Sequence, residues 1–140
     1  DNEIRSQINI NEIIIIGEFT NSDGPWFDDW FLVLVTKDGK WQSISMYADN
    51  IIDITNYLSD FLKEDINDCL LAGSTKWKSV IRYPNNLRNK NLFLLQKSKY
   101  YKAPKNFIDR ILYAVGLSNF NTTENINLSD ESIMEINKYK

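Results

Sequence analysis

Residues 30–47, WFLVLVTKDGKWQSISMY, decide the fold that this sequence predicts. Two runs rich in β-branched and aromatic residues flank the dipeptide Asp38-Gly39. This dipeptide is favoured in two-residue hairpin turns, because both turn residues must accept a positive φ angle. We therefore predict a strand over residues 29–37, a tight turn at Asp38-Gly39 and a second strand over residues 40–47.

A two-residue turn also sets the pairing of the two strands, and residues that lie opposite each other share a face of the sheet. One face is then predicted to be a core face: Phe31 opposite Met46, Val33 opposite Ile44 and Val35 opposite Gln42. The other face is predicted to be an aromatic-walled trough with small serines at its centre: Trp30, Trp41, Ser43, Ser45 and Tyr47, with Trp26 on the preceding loop. Either a helix packs into this trough, or it binds a peptide, a sugar or a partner protein.

The chain on either side of the hairpin predicts an α+β fold. Further strands are expected over residues 10–19, 77–83 and 92–97, and helices over residues 49–64, 104–115 and 129–138, with a polar loop at 118–128. The order β-β-β-α-β-β-α-α is typical of a single domain, here residues 1–140. We expect an antiparallel-rich sheet of about five strands, packed with two to three helices.

The first predicted helix carries an apolar stripe and an acidic ridge on opposite sides. The stripe consists of Ile51, Ile54, Leu58, Phe61 and Leu62. The ridge, spaced by three and four residues, consists of Asp49, Asp53, Asn56, Asp60 and Glu64. At about 100° per residue the ridge faces outward, and Asp49 is placed to cap the helix. The ridge is either an ordinary solvated surface or a binding surface for a basic partner.

A small net charge of −3 hides a segregation of charge along the chain. Residues 1–75 hold 14 acidic and 4 basic side chains, whereas residues 76–110 hold 10 basic and 1 acidic. Lys76, Lys78 and Arg82 share one face of a predicted strand. A basic surface with neighbouring aromatic rings is what single-stranded nucleic acid requires, although Trp77 and Tyr83 fall on the opposite face.

Several classes of chemistry lack their residues in this sequence. The absence of histidine excludes imidazole catalysis and histidine-containing metal sites, and the single cysteine, Cys69, excludes an internal disulfide. No phosphate-binding glycine loop or nucleophile motif is present. We therefore expect no enzymatic activity, no cofactor and no metal. An enzyme would have to rely on carboxylates, tyrosine or lysine alone.

Together these patterns predict a protein-interaction module without enzymatic activity. Its partner is expected to be a basic protein bound through the acidic ridge, the aromatic trough or both. The specific form we expect is an immunity-type inhibitor, which covers a cationic active site with its carboxylates. The alternative is a small-ligand or single-stranded nucleic-acid binding domain that uses residues 76–110. No apolar run is long enough to span a membrane. A cytoplasmic location is expected, and the alternative is a periplasmic or secreted one.

Overall fold

The protein contains six strands and two α-helices, seen in a computed structural model that describes residues 7–22, 24, 27–101 and 120–140. The strands are β1 (Ile13–Thr20), β2 (Trp30–Thr36), β3 (Trp41–Ser45), β4 (Lys78–Tyr83), β5 (Phe93–Tyr101) and β6 (Phe120–Leu128). The helices are α1 (Ile51–Leu62) and α2 (Asp130–Asn137). The predicted α+β class is confirmed. The helix predicted over residues 104–115 lies outside the described residues.

The six strands form two sheets. Four of them make an antiparallel sheet in the order β3-β2-β1-β4, and β5 pairs with β6 in a two-stranded sheet. β5 therefore pairs with a strand, β6, that the sequence does not predict. Residues 118–128 were expected to be a polar loop. Strand pairing is made by backbone hydrogen bonds, so a segment rich in asparagine and threonine can form a strand once a neighbour is available.

The chain groups into two compact units. The first consists of Asp1–Phe93 with Leu128–Lys140 and contains the four-stranded sheet, α1 and α2. The second consists of Leu94–Asn127 and contains most of β5 and β6. The expectation of a single domain stays a prediction. All the contacts described below lie in the first unit.

The β2–β3 hairpin has a connection of three residues rather than two. Gly39 has a φ of 82°, and its N–H donates to the carbonyl of Thr36 over 2.9 Å. The N–H of Thr36 in turn donates to the carbonyl of Lys40. A turn followed by a left-handed glycine is the common three-residue hairpin loop. The carboxylate of Asp38 stabilises it by accepting from Thr36 Oγ1 over 2.5 Å and from the Lys40 N–H over 3.1 Å.

The longer connection moves the pairing of β2 and β3 by one residue, so the predicted register is wrong. Val33 lies opposite Ser43 instead of Ile44, and Val35 lies opposite Trp41. A shift by one residue exchanges the faces of a strand. Trp41, Ser43 and Ser45 therefore share a face with Phe31, Val33 and Val35, and they are separated from Trp30, Leu32 and Leu34.

One face of the four-stranded sheet is covered by α1. Ile51 and Leu58 of the helix belong to a buried aliphatic cluster that includes Ile16, Leu32 and Leu34 of the sheet. The helix begins after Asn50, so Asp49 is not its cap. It ends at Leu62, because Lys63 adopts a left-handed conformation with a φ of 56°. Phe61, expected in the buried stripe, is 43% exposed.

The other face of the sheet is covered by aromatic rings and by the residues that lead into β5. Phe19 stacks on Phe31 at a ring distance of 4.9 Å, and Phe93 contacts the edge of Phe19 at 5.8 Å. α2 is capped by Ser129, whose Oγ accepts from the N–H of Ser132. The Ser132 hydroxyl donates to the carbonyl of Leu92 over 3.0 Å, which joins α2 to this layer.

Candidate functional site

The outward face of α1 combines carboxylates with exposed apolar side chains. Asp53, Asn56 and Asp60 are exposed and lie within about 60° of one another around the helix. Ile52 is 70% exposed, and Tyr57 is 62% exposed. With the exposed Phe61, these residues form what we call the α1 surface: Ile52, Asp53, Asn56, Tyr57, Asp60 and Phe61.

The two ends of the predicted ridge lie outside the helix. Asp49 is exposed and precedes α1, whereas Glu64 is half-buried and follows the left-handed Lys63. The structure thus places Asp53 and Asp60 on one helix face and leaves Asp49 and Glu64 beside it. Within the part of the chain that the structure describes, none of these four carboxylates belongs to an ion pair.

A buried ion pair lies inside the sheet face that α1 covers. Glu18 Oε2 accepts from Arg82 Nη2 over 2.9 Å, and both side chains are fully buried. The same carboxylate accepts from Trp30 Nε1 over 2.7 Å and, through Oε1, from the N–H of Leu71 over 3.0 Å. The sequence signal for this pair is a single acidic residue, Glu18, inside the apolar strand β1, and it was not used in predicting the site.

The ion pair changes the predicted basic surface. Arg82 is 1% exposed and donates inward to Glu18 and to the carbonyl of Ile66, so it does not belong to a surface for nucleic acid. Lys76 and Lys78 are exposed, as that interpretation requires. The buried guanidinium is stabilised here by the opposite charge of Glu18 and by hydrogen bonds from Nη1 and Nη2.

The predicted aromatic trough is divided between the two faces of the sheet. Trp30 is half-buried against Glu18, and its ring contacts that of Tyr47 edge-on at 6.3 Å. Trp41 lies on the opposite face with its ring 4.9 Å from Phe93, together with Ser43 and Ser45. Trp26 lies outside the described residues. The trough is therefore wrong as a single binding groove, because it depended on the two-residue turn.

An open cleft of about 560 Å³ lies beside Tyr47 and is lined by Phe27, Asp28 and Asp29 among others. The Tyr47 hydroxyl donates to Asp29 Oδ1 over 2.6 Å. This hydrogen bond, with smaller contributions from burial and the two carboxylates, raises the pKa of Tyr47 above its usual value of 10. A phenol that holds its proton this firmly is a poor general base at neutral pH.

No group of three or more histidine, cysteine, aspartate or glutamate residues is arranged to hold a metal ion among the described residues. None of the described helices combines the length and the apolar character that crossing a membrane requires. Comparison with protein-family models, with curated proteins and with solved structures finds no match for this chain.

Proposed function

We propose that this chain is a non-enzymatic interaction module that binds a basic protein through the α1 surface. The observation that carries the proposal is the mixture of side chains on that surface. The carboxylates of Asp53 and Asp60 stand beside Ile52, Tyr57 and Phe61, which are all exposed. The solvated face of a surface helix is normally polar throughout. Exposed large apolar side chains rimmed by charge are typical of protein-protein interfaces.

Charge supports a basic partner. Residues 1–75 carry a formal charge of −10, and the α1 surface lies within that segment. Carboxylates at the rim of an interface accelerate association with a cationic partner, whereas buried aromatic anchors slow dissociation. In this proposal Asp53 and Asp60 steer the partner, and Tyr57 and Phe61 hold it.

The specific form we propose is an immunity-type inhibitor of a basic enzyme. Enzymes that act on phosphate groups present cationic active sites, and carboxylates can occupy such sites in place of phosphates. Inhibition by coverage requires a rigid acidic surface and no catalytic residue of its own. The proposed location is the cytoplasm, where the exposed thiol of Cys69 remains reduced.

The alternative proposal is a small-ligand or single-stranded nucleic-acid binding domain that uses the basic segment. It is supported by the exposed Lys76 and Lys78, but Arg82 does not contribute to it. Fluorescence anisotropy with labelled single-stranded oligonucleotides at low and high salt separates the two proposals. Binding that weakens with salt favours the alternative, and its absence removes the nucleic-acid form.

The test of the α1 surface compares two double variants with the same change of net charge. The first is Asp53→Lys with Asp60→Lys; the matched control is Glu12→Lys with Asp28→Lys, at two exposed acidic positions elsewhere. Each protein is immobilised for affinity capture from the source cells, and retained proteins are identified by mass spectrometry. We expect a basic protein that the native chain and the control retain and the α1 variant loses.

Association kinetics with the captured partner then decide the mechanism. The α1 variant is expected to slow association by about tenfold at low salt, while the control changes it far less. Both variants are expected to keep the native unfolding free energy within about 1 kcal/mol, because surface substitutions have small effects. Equal association rates for the α1 variant and the native chain would contradict the proposal.

A further inference from the structure

The two edges of the four-stranded sheet differ in how they are covered. β4 forms one edge, and the chain that follows it returns along that edge: the N–H of Ile81 donates to the carbonyl of Lys90 over 2.8 Å, and the N–H of Asn89 donates to the carbonyl of Ile81 over 3.0 Å. β3 forms the other edge, and among the described strands β2 is its only neighbour. The outer side of β3 therefore has no strand partner within the described part of the chain.

The hydrogen bonds at the two ends of β3 identify the backbone groups that point away from β2. The N–H of Thr36 donates to the carbonyl of Lys40, and the N–H of Met46 donates to the carbonyl of Trp30. Bonded positions recur at every second residue of an antiparallel pair, so the even-numbered residues of β3 bond to β2. The residues whose backbone N–H and C=O groups point outward are Trp41, Ser43 and Ser45.

β3 also lacks the features by which proteins protect an exposed sheet edge, which are charged side chains, proline and bulges. Its sequence, WQSIS, contains no charged residue and no proline. Its pairing with β2 runs without a register shift, whereas both pairings of β1 contain one. Ser43, at the centre of the strand, is exposed. A regular, uncharged edge of this kind is a template to which another extended strand adds by backbone hydrogen bonds.

The sequence of β3 is complementary to a second copy of itself. A two-fold axis at Ser43 places this residue opposite its own copy, Trp41 opposite Ser45, and Gln42 opposite Ile44. In this antiparallel register all five residues of β3 have a partner in the other β3, and outward N–H groups meet outward carbonyls. The largest side chain of the strand then lies beside a small one, and no like charges lie opposite each other.

We propose that two copies of this chain pair antiparallel through β3, about a two-fold axis at Ser43, and join their four-stranded sheets into one continuous sheet. This pairing is independent of the proposed function, because it uses neither the carboxylates of α1 nor a basic partner. Opposed residues share a face of the sheet, so the α1 helices of the two copies lie on the same side of it. The contact is only one short strand wide, and interfaces of this size associate weakly.

Sedimentation equilibrium of the native chain tests the pairing. Between about 10 µM and 1 mM the average mass is expected to rise from that of one chain towards that of two. Ser43→Lys places two positive charges opposite each other and is expected to weaken association by about tenfold or more. The matched control is Thr75→Lys, which makes the same change of charge at an exposed position before β4 and should associate as the native chain does.

Two further measurements test the position of the two-fold axis. Position 43 meets its own copy only in the proposed register, so an equal mixture of the Ser43→Lys and Ser43→Glu chains brings opposite charges together. This mixture is expected to form mixed dimers about tenfold more tightly than either variant pairs with itself. In the native chain, hydrogen exchange of the Ser43 amide is expected to be fast when dilute and to slow as the dimer forms.

Several results would overturn the pairing. They are a native chain that stays monomeric up to about 1 mM, a Ser43→Lys variant that associates as the native chain does, and a mixture of the two charged variants that forms no mixed dimers. Slow exchange of the Ser43 amide at every concentration would show that another segment of the same chain covers the edge, which excludes the dimer. The amide measurement uses the native chain, so it decides the question even where a variant does not fold.

Discussion

The two faces of the four-stranded sheet are buried by different chemistry. The face beneath α1 combines an aliphatic cluster with the ion pair of Glu18 and Arg82. The opposite face is built from aromatic rings that pack around Phe93 and from serine hydroxyls that donate to backbone carbonyls. The stability of the first face depends on the pairing of two opposite charges, whereas that of the second depends on the close packing of its side chains.

The difference indicates where the molecule positions its proposed interface. Glu18 holds the N–H of Leu71 while Arg82 holds the carbonyl of Ile66, so the ion pair ties the segment after α1 to the sheet. That segment also carries Cys69, which lines a cavity beside the N-terminal half of α1. A buried ion pair adds little net stability compared with apolar residues of the same size. Its value here is the defined position that it gives to this segment.

The largest loss of unfolding free energy is expected from Glu18→Gln, which keeps the shape of the side chain and removes its charge. Arg82 is then buried without a counter-charge, and breaking a buried pair in this way costs about 3–5 kcal/mol of unfolding free energy. Urea unfolding measures it. Glu12→Gln, at an exposed position just before β1, is the matched control and should change stability by less than about 0.5 kcal/mol. Equal losses in the two variants would show that the pair does not hold the first face together.

The second largest loss of unfolding free energy is expected from Gly17→Ala, on the face opposite α1. An added Cβ would lie 2.7 Å from both the carbonyl oxygen of Val80 and Cδ2 of Leu92. Leu92 can move its side chain, but the Val80 carbonyl belongs to the neighbouring strand. We expect a loss of about 1–3 kcal/mol, measured by urea unfolding, because this space is already filled. An unchanged midpoint would mean that the aromatic face is loosely packed.

A smaller effect is expected from Phe93→Leu, which keeps a large apolar side chain and removes the ring. Phe93 is 1% exposed and contacts the rings of Phe19 and Trp41. Loss of these aromatic contacts should cost about 0.5–1.5 kcal/mol beyond the change in buried area. Phe27→Leu, at a ring that is 76% exposed, is the control for the same chemical change. The thermal midpoint should fall for Phe93→Leu and stay constant for the control.

The smallest effect is expected at the β2–β3 turn. The hydrogen bond from Thr36, followed by that from the Lys40 N–H, lowers the pKa of Asp38 below its usual 3.8. A lowered folded-state pKa stabilises the protein above the unfolded-state pKa, and this contribution is lost as the pH falls through the folded value. NMR titration of the Asp38 carboxyl should show the low pKa, and Thr36→Val should raise it. If the pKa of Asp38 is the same in Thr36→Val as in the native protein, the hydrogen bond from Thr36 does not lower it.

Local patterns predicted the elements of the first unit well, because each depends on a short stretch of sequence. The hairpin around Asp38-Gly39, the strand before Pro84 and the helix after Ser129 all form where the sequence predicts them. The pairing within the hairpin was not predicted, because Asp38-Gly39 fits both a two-residue and a three-residue connection. The hydrogen bonds that Asp38 makes with Thr36 and Lys40 select the longer one.

The candidate site was also predicted in part, by local spacing only. Helical spacing alone placed Asp53 and Asp60 together on an outward face, because that geometry follows from the helix repeat. It missed the exposure of Phe61, because helical spacing does not say which residues of an apolar stripe are covered by other parts of the chain. It also assigned Arg82 to a surface, because alternation along a strand does not say whether a face meets solvent or, as here, the segment that contains Ile66, with Glu18 on the neighbouring strand as the counter-charge.

The sequence by itself determined the α+β class, the position of the hairpin and the segregation of charge, since composition and local periodicity carry this information. Only the tertiary structure decided which residues share a face, which charges are buried and where a cavity opens. Those properties depend on the register between strands and on contacts between distant segments, such as Glu18 with Arg82. A difference of one residue in a turn exchanges the faces of a strand, and local patterns do not resolve that difference.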